Sequence, residues 1–451
     1  MTETERKMGE APIAPMLAKN SVPMMLSLLF NSLYNVVDSI FVSRIEEDAL
    51  TALSLCSPIQ IVCGALGLGL AVGLNSAISK ALGEKDREKV KTTASAAMFL
   101  GFCAYAIILL LLAFLMKPYL RWQSGGNEAI YNYGVDYMRI ILLFSLPNMF
   151  QWIFDRFVIA TGKNGWFLVT LTAASLTNLI LDPVFIFGYF GVPAMGTTGA
   201  AIATVIGQTL GAVTGYIVNR LVNTEIPVSF AVRPDGECIK QILKVGIPAA
   251  LVRGVTACVA TAMNTILIEF SSTAVAVMGI CSKIQGLATI PPHGIDNSLI
   301  PIMAYNYGAR NRRRIDESRK WALIYSFGMM AIIALALELF PGAVLRLFDA
   351  SENMLEIGIP AIRILAASWF ISVFCMISAT EYQALGQGSC SMYLTTAQQA
   401  ILPMLLALLL ERTGVIDLFW CAYLFAELLS IPIALCFNKK VRCDILDKIG
   451  T

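Results

Sequence analysis

Apolar residues along this chain come in runs of about 20 with few charges, each closed by a short polar stretch. A helix of that length crosses the roughly 30 Å hydrocarbon core of a bilayer. Runs begin near Met16, Thr51, Thr92, Asn132, Asn164, Gly196, Gln241, Ala276, Asp316, Met354, Ser389 and Val415, which predicts twelve transmembrane helices. The longest polar stretch, about Asn219 to Lys240, contains Pro227, Pro234 and Gly236 and separates six runs from six. The expected layout is an all-α polytopic protein: a tail at 1–15, a first bundle at 16–221, a linker at 222–240, a second bundle at 241–437 and a tail at 438–451.

Composition agrees with a membrane class. Hydrophobic residues make up 57% of the 451 and charged residues 14%, against about 25% charged in soluble domains. Little chain remains for a soluble domain. Basic residues set the orientation, because short loops rich in Lys and Arg stay in the cytoplasm. With the N-terminus inside, the loops after even-numbered spans and the two tails hold 23 Lys and Arg, whereas the loops after odd-numbered spans hold Arg44, Lys117, Arg121, Arg346 and Arg412. Both termini are therefore expected in the cytoplasm. The apolar segment after Arg6 and Lys7 is longer than a signal core and has no small-residue cleavage site, so it reads as a span.

Eleven cysteines without a CxxC pair read as packing residues and imply no disulfide or metal framework. There is no GK[ST] phosphate loop, nucleophile elbow or HExxH. The expectation is no enzyme, no cofactor, no nucleic-acid partner and no ATP hydrolysed by this chain.

Shifted by 225 residues, the sequence aligns with itself: "CSPIQ" at Cys56 falls on "CSKIQ" at Cys281, Lys19 on Lys244, Pro23 on Pro248, Gly69 on Gly294 and Gly83 on Gly308. A basic loop follows the second helix of each half. Six spans is an even number, so the halves enter the membrane the same way and are related by an axis along its normal. Two such bundles enclose a cleft, with a substrate site near the midplane between repeats and transport by rocking of one bundle against the other.

The halves differ in their intramembrane acids. In the first helix "FNSLYNVVDSIFV" puts Asn31, Asn35 and Asp38 on one face, and in the fifth Asn178 and Asp182 are i and i+4. The counterparts of the first set are Thr256, Ala260 and Met263, and "LPMLLALLLE" has no acid before Glu411. A charge within a span is disfavoured by about 2.5–3.5 kcal/mol and usually marks function. Pro183 donates no N–H and leaves the Leu179 carbonyl free. Carboxylate, amide and carbonyl oxygens suit Na⁺ at Asp38, Asn178 and Asp182, and a buried carboxyl equally suits a proton. Both ions stay open, and so does a purely structural role in locking the bundle.

Asn31, Asn35, Asp155, His293 and Asp296 are the candidates for substrate contact. Asp155 and Arg156 either line the cleft or form an ion-paired helix end. His293, the single histidine, follows Pro291 and Pro292 and has Asp296 one turn on. Lys283 and Arg363 are placed to pair with Asp296 or Glu381. Gly64, Gly67, Gly69 and Gly73 read as close helix packing.

"NLILDPVFIFG" followed by "GTTGAAIATVIGQ", with "YNVVDSIFV", "CSKIQ", "LIPIMAYNYGARN" and "ALGQG", resembles the multidrug and toxic compound extrusion (MATE) family over nearly the whole chain, within it the bacterial MepA-like multidrug efflux branch. The resemblance implies twelve helices in two pseudo-symmetric six-helix bundles, the MATE fold. It implies a cation-coupled antiporter exporting lipophilic, often cationic drugs, a monomer in the bacterial cytoplasmic (inner) membrane, with antibiotic resistance as the outcome. It also implies that the cation site falls on Asp38, Asn178 and Asp182, with Thr204 added from the sixth helix. The stretches "LVRGVTACVA" and "FCMISA" lack the second-lobe acids of the family's other branch. Met and aromatic side chains are expected to line the cleft. The alternatives are a flippase for lipid-linked sugars, which needs a more basic cleft than Arg253, Lys283 and Arg363 supply, and an exporter of an endogenous metabolite.

Overall fold

The computed structural model describes residues 4–43, 45–228, 235–348 and 350–449, apart from the side chains of residues 35, 36, 38–40, 42, 43 and 47. The described residues are helical with short connections and contain no strand. The first half comprises α1 (Ile13–Ser43), α2 (Glu47–Gly83), α3 (Arg87–Leu110), α4 (Met116–Gln123), α5 (Glu128–Leu143), α6 (Leu146–Ala160), α7 (Asn164–Phe187) and α8 (Gly196–Leu221). The second comprises α9 (Gly236–Phe270), α10 (Ser272–Ala288), α11 (Ile290–Gly308), α12 (Arg312–Leu339), α13 (Pro341–Arg346), α14 (Glu352–Ala384), α15 (Gly388–Thr396), α16 (Leu402–Glu411) and α17 (Ile416–Asp444).

Polar residues in the connections start these helices. Asp86, Asn127, Asp235, Ser271, Asn311 and Ser351 each accept a hydrogen bond from a backbone N–H of the first turn that no carbonyl could otherwise reach. Ten helical segments among the described residues are long and apolar enough to cross a bilayer, or eleven with the bent pair α10–α11 taken as one span. That pair bends by 47° at Thr289, ahead of Pro291 and Pro292. The fourth predicted span is broken as well: α5 and α6, of 16 and 15 residues, meet at Phe144–Ser145, where Pro147 starts a new helix. Single π-turns join α3 to α4 and α15 to α16 instead of breaks.

The two halves pack against each other toward the end that carries the basic loops. A Cβ on Gly69 would lie 2.6 Å from the Gly246 carbonyl oxygen, and Gly73, Gly83 and Gly308 likewise rest on the backbones of Ile242, Tyr305 and Lys80. One buried apolar cluster therefore runs through both halves, from Leu70, Leu74 and Phe154 to Ile242, Leu299 and Trp369. Residues 4–11 strap this end. Thr4 donates its hydroxyl to Thr161 O and Lys7 donates to Gly162 O in the first half, while Arg314 donates to Met8 O (3.0 Å) and Ala11 O (2.8 Å) from the second.

Candidate functional site

The fifth predicted helix, α7, supplies the centre of the site. Asn178 and Asp182 lie one turn apart on its buried face, 2% and 0% exposed. Beside them α8 approaches closely because Gly207 has no side chain: a Cβ there would be 2.7 Å from Ala174 O. That approach brings Thr204 to Asn178. Their surroundings orient the Asn178 amide. Its nitrogen donates to Asp182 Oδ2 (2.7 Å) and Tyr34 Oη (3.3 Å), and its oxygen accepts from Thr204 N (2.9 Å) and Oγ1 (3.1 Å). The Thr204 hydroxyl also lies 2.9 Å from Ala200 O, so its one proton is shared between two acceptors. α7 runs unbroken through Pro183 to Gly188, whose φ of +79° ends it. Pro183 has no N–H to offer the Leu179 carbonyl one turn back.

Above this floor is a cavity of ≈ 340 Å³, walled by α1, α2, α6, α7 and α8, with Asn297 of α11 the single contribution from the second half among the described residues. The cavity thus sits inside the first bundle, while the glycine contacts close the seam between the halves toward the basic-loop end. Its apolar lining includes Met24, Leu28, Trp152, Phe167 and Leu171, and its polar lining includes Asn31, Tyr34, Asn148, Gln151, Ser175 and Gln208. Amides are as prominent as the Met and aromatic side chains that the sequence led us to expect.

Asp155 and Arg156 line the opposite end, each 5% exposed. Thr170 Oγ1 donates to Asp155 Oδ1 (2.7 Å), Arg156 Nη1 donates to Asn297 Oδ1 (3.2 Å), and the guanidinium carbon stands 5.9 Å from the Trp152 ring centre. Arg156 Nε has no hydrogen-bond partner among the described residues. This pair is therefore no snorkelling helix end but a buried junction between the halves.

Of the residues singled out in the sequence, the fold gathers Asn178, Asp182 and Thr204 at the floor and Asn31 and Asp155 on the walls. Asp38 and Asn35 lie on α1, and their side chains fall outside the described residues. His293 and Asp296 are not brought into the cavity. Asp296 Oδ1 accepts from Thr380 Oγ1, and the His293 backbone carbonyl accepts from Asn297 Nδ2 (2.9 Å). The expected partners of Lys283 and Arg363 are corrected too: Glu381 pairs with Arg319 (2.8 Å) and Arg363 with Glu338 (3.4 Å). Tyr34, Gln151 and Gln208 were not among the candidates. Tyr34 had a signal, since it is three residues after Asn31 and four before Asp38.

The sequence model of the MatE family matches the chain twice, at residues 23–184 and 248–409, the same 225-residue offset at which the chain aligns with itself. The chain belongs to the MatE family. Similar curated proteins include the multidrug export protein MepA of Staphylococcus aureus (strain NCTC 8325 / PS 47), 24% identical over 93% of this chain and 92% of that protein. MepA of Staphylococcus haemolyticus (strain JCSC1435) is 24% identical over 96% and 95%. Among solved structures, an outward-facing conformation of a multidrug resistance MATE family transporter of the MOP superfamily superposes with TM-score 0.91 at 22% identity, covering 99% of each chain. A crystal structure of MATE in complex with Br-NRF gives 0.84 at 21% identity over 100% of each. This MatE chain is accordingly a multi-pass membrane protein of a transporter family, and most of the cavity lining beside Asn178 and Asp182 falls within its first matched repeat.

Proposed function

We propose that this MatE protein is a cation-coupled multidrug exporter, a monomer of the bacterial cytoplasmic membrane with both termini inside, which takes lipophilic, often cationic compounds into the first-bundle cavity and releases them outward. The observation that carries the reading is the bond from Asn178 Nδ2 to the buried Asp182 carboxylate. Asn178 faces two ways: it lines the cavity, and it satisfies an acid that sits in an apolar span. A proton or Na⁺ taken by Asp182 Oδ2 competes with that N–H for the same oxygen lone pairs. Asn178 is then left with Tyr34 Oη as its acceptor, and the shift of its amide changes the cavity floor it shares with Tyr34 and Thr204. Ion uptake and substrate release are thereby linked through one amide. With the basic loops in the cytoplasm, the glycine seam closes the inner side, the arrangement from which substrate leaves outward.

The test is ethidium efflux from cells expressing the protein, with external Na⁺ and pH varied independently. Efflux that follows one ion gradient and collapses with the matching ionophore is the expected result. Efflux indifferent to both gradients would overturn the coupling, and no efflux of any dye in a panel would overturn the export reading.

A further inference from the structure

The second half holds a half-buried acid within an apolar membrane-spanning helix that nothing above employs. Glu427 lies near the middle of α17, and Gln398 Nε2 donates to its Oε2 at 2.7 Å. Gln398 is 4% exposed and belongs to the π-turn Ala397–Ile401, whose extra residue re-aims side chains relative to a regular helix. Among the described residues Glu427 takes part in no ion pair, in contrast to Glu381, which Arg319 neutralises. Among the described residues, Cys375 on the packed α14 interacts with it electrostatically and Tyr423 lies one turn earlier on α17 itself; neither is a cation. A bare carboxylate in such a place is costly, and one amide donor offsets only part of that cost. Taking up a proton removes the charge altogether.

The location has a counterpart in the first half. At the 225-residue offset, the segment 388–411 stands for α7 and α17 stands for α8. The Gln398–Glu427 contact therefore bridges the same pair of helices that Asn178 and Thr204 bridge, with the acid moved to the sixth helix of the repeat.

We propose that Glu427 is a proton-carrying group of the second half, neutral in one conformation of the cycle and ionised in the other, with Gln398 bonded to it in both. The inference rests on the transport reading for its role and on the Gln398–Glu427 geometry for its site. Two readouts on the full-length protein in proteoliposomes keep these separate.

The first is the steady-state substrate ratio that a one-unit pH gradient sustains at zero membrane potential, for wild type and Glu427→Gln, which retains an amide to face Gln398. Loss of one proton per cycle lowers that ratio tenfold, and an unchanged ratio overturns the role. The second needs no transport: infrared spectra followed through a pH titration. A carbonyl band of a neutral carboxyl that titrates in wild type and Asp182→Asn and is missing in Glu427→Gln supports the site, even if no gradient forms and the export reading fails. A band that persists in Glu427→Gln overturns it. Should Glu427→Gln not fold, Gln398→Leu leaves the carboxyl in place and must move the midpoint of that band; an unmoved midpoint refutes the pairing.

Discussion

Replacing Asp182 with Asn tests the coupling proposal most directly, because it changes charge and almost nothing else. The side chain is fully buried, so water screens little of its field. Two unit charges about 4 Å apart at an effective dielectric of about 20 interact by roughly 4 kcal/mol. At 1.4 kcal/mol per decade, removing the charge lowers cation affinity about a thousandfold. The fold loses far less. The side-chain carbonyl oxygen introduced by Asp182→Asn still accepts from Asn178 Nδ2, and exchanging a charge-assisted hydrogen bond for a neutral one costs about 1–2 kcal/mol. Asp182→Asn should therefore reach the membrane, reconstitute, and fail at gradient-driven efflux. A second readout is ligand-linked stability: an ion present at about 100 times its dissociation constant stabilises by about 2.7 kcal/mol, so the wild type should melt at higher temperature with the coupling ion while the variant should not respond. Undiminished gradient-driven transport by Asp182→Asn would refute the reasoning, whatever its stability.

Other outcomes follow from geometry elsewhere. Gly69→Val puts new atoms against the Gly246 carbonyl and Ala250 Cβ (2.6 and 2.9 Å); overpacking of about 1–3 kcal/mol should hold the inner seam apart, read as faster labelling of an engineered seam cysteine from the cytoplasmic side. Arg319→Leu strands the Glu381 carboxylate, 1% exposed, and should lower stability by about 3–5 kcal/mol, with Arg319→Leu/Glu381→Leu recovering most of it in a thermal-shift series. Arg314→Ala releases the carbonyls of Met8 and Ala11 and should raise proteolytic cleavage within residues 4–11 without altering efflux direction. The Cys238 backbone N–H (2.9 Å) holds the Asp235 carboxyl below the usual carboxylate range, so its cap on α9 is complete above the ordinary carboxylate pKa and is lost as pH falls through the lower folded value. Hydrogen-exchange protection at Cys238, taken relative to the intrinsic exchange rate at each pH, should fall in acid in wild type and stay constant in Asp235→Asn.

The architecture was legible because bilayer thickness forces long apolar runs, and each predicted run lands on one helix or on two consecutive helices. Breaks within runs were less visible. Nothing in local hydropathy separates α5 from α6, because Ser145 and Pro147 are too few to lower the mean over a span. The site was half legible for a related reason. Asn178 and Asp182 share one helix, so spacing alone put them together, and the same rule grouped Asn31 with Asn35 and Asp38 on α1. Arg156 meeting Asn297, or Gln398 meeting Glu427, joins residues 141 and 29 positions apart on different helices, which no periodicity encodes. Sequence offered only the oddity of each polar residue in its span. The pairing came from glycines that set how near the helices pass and from a π-turn that rotates one of them. An intramembrane acid is thus readable as a question from sequence, and its answer depends on which neighbour the packing brings within hydrogen-bond reach: an amide that can be displaced, as at Asp182, or an arginine that cannot, as at Glu381.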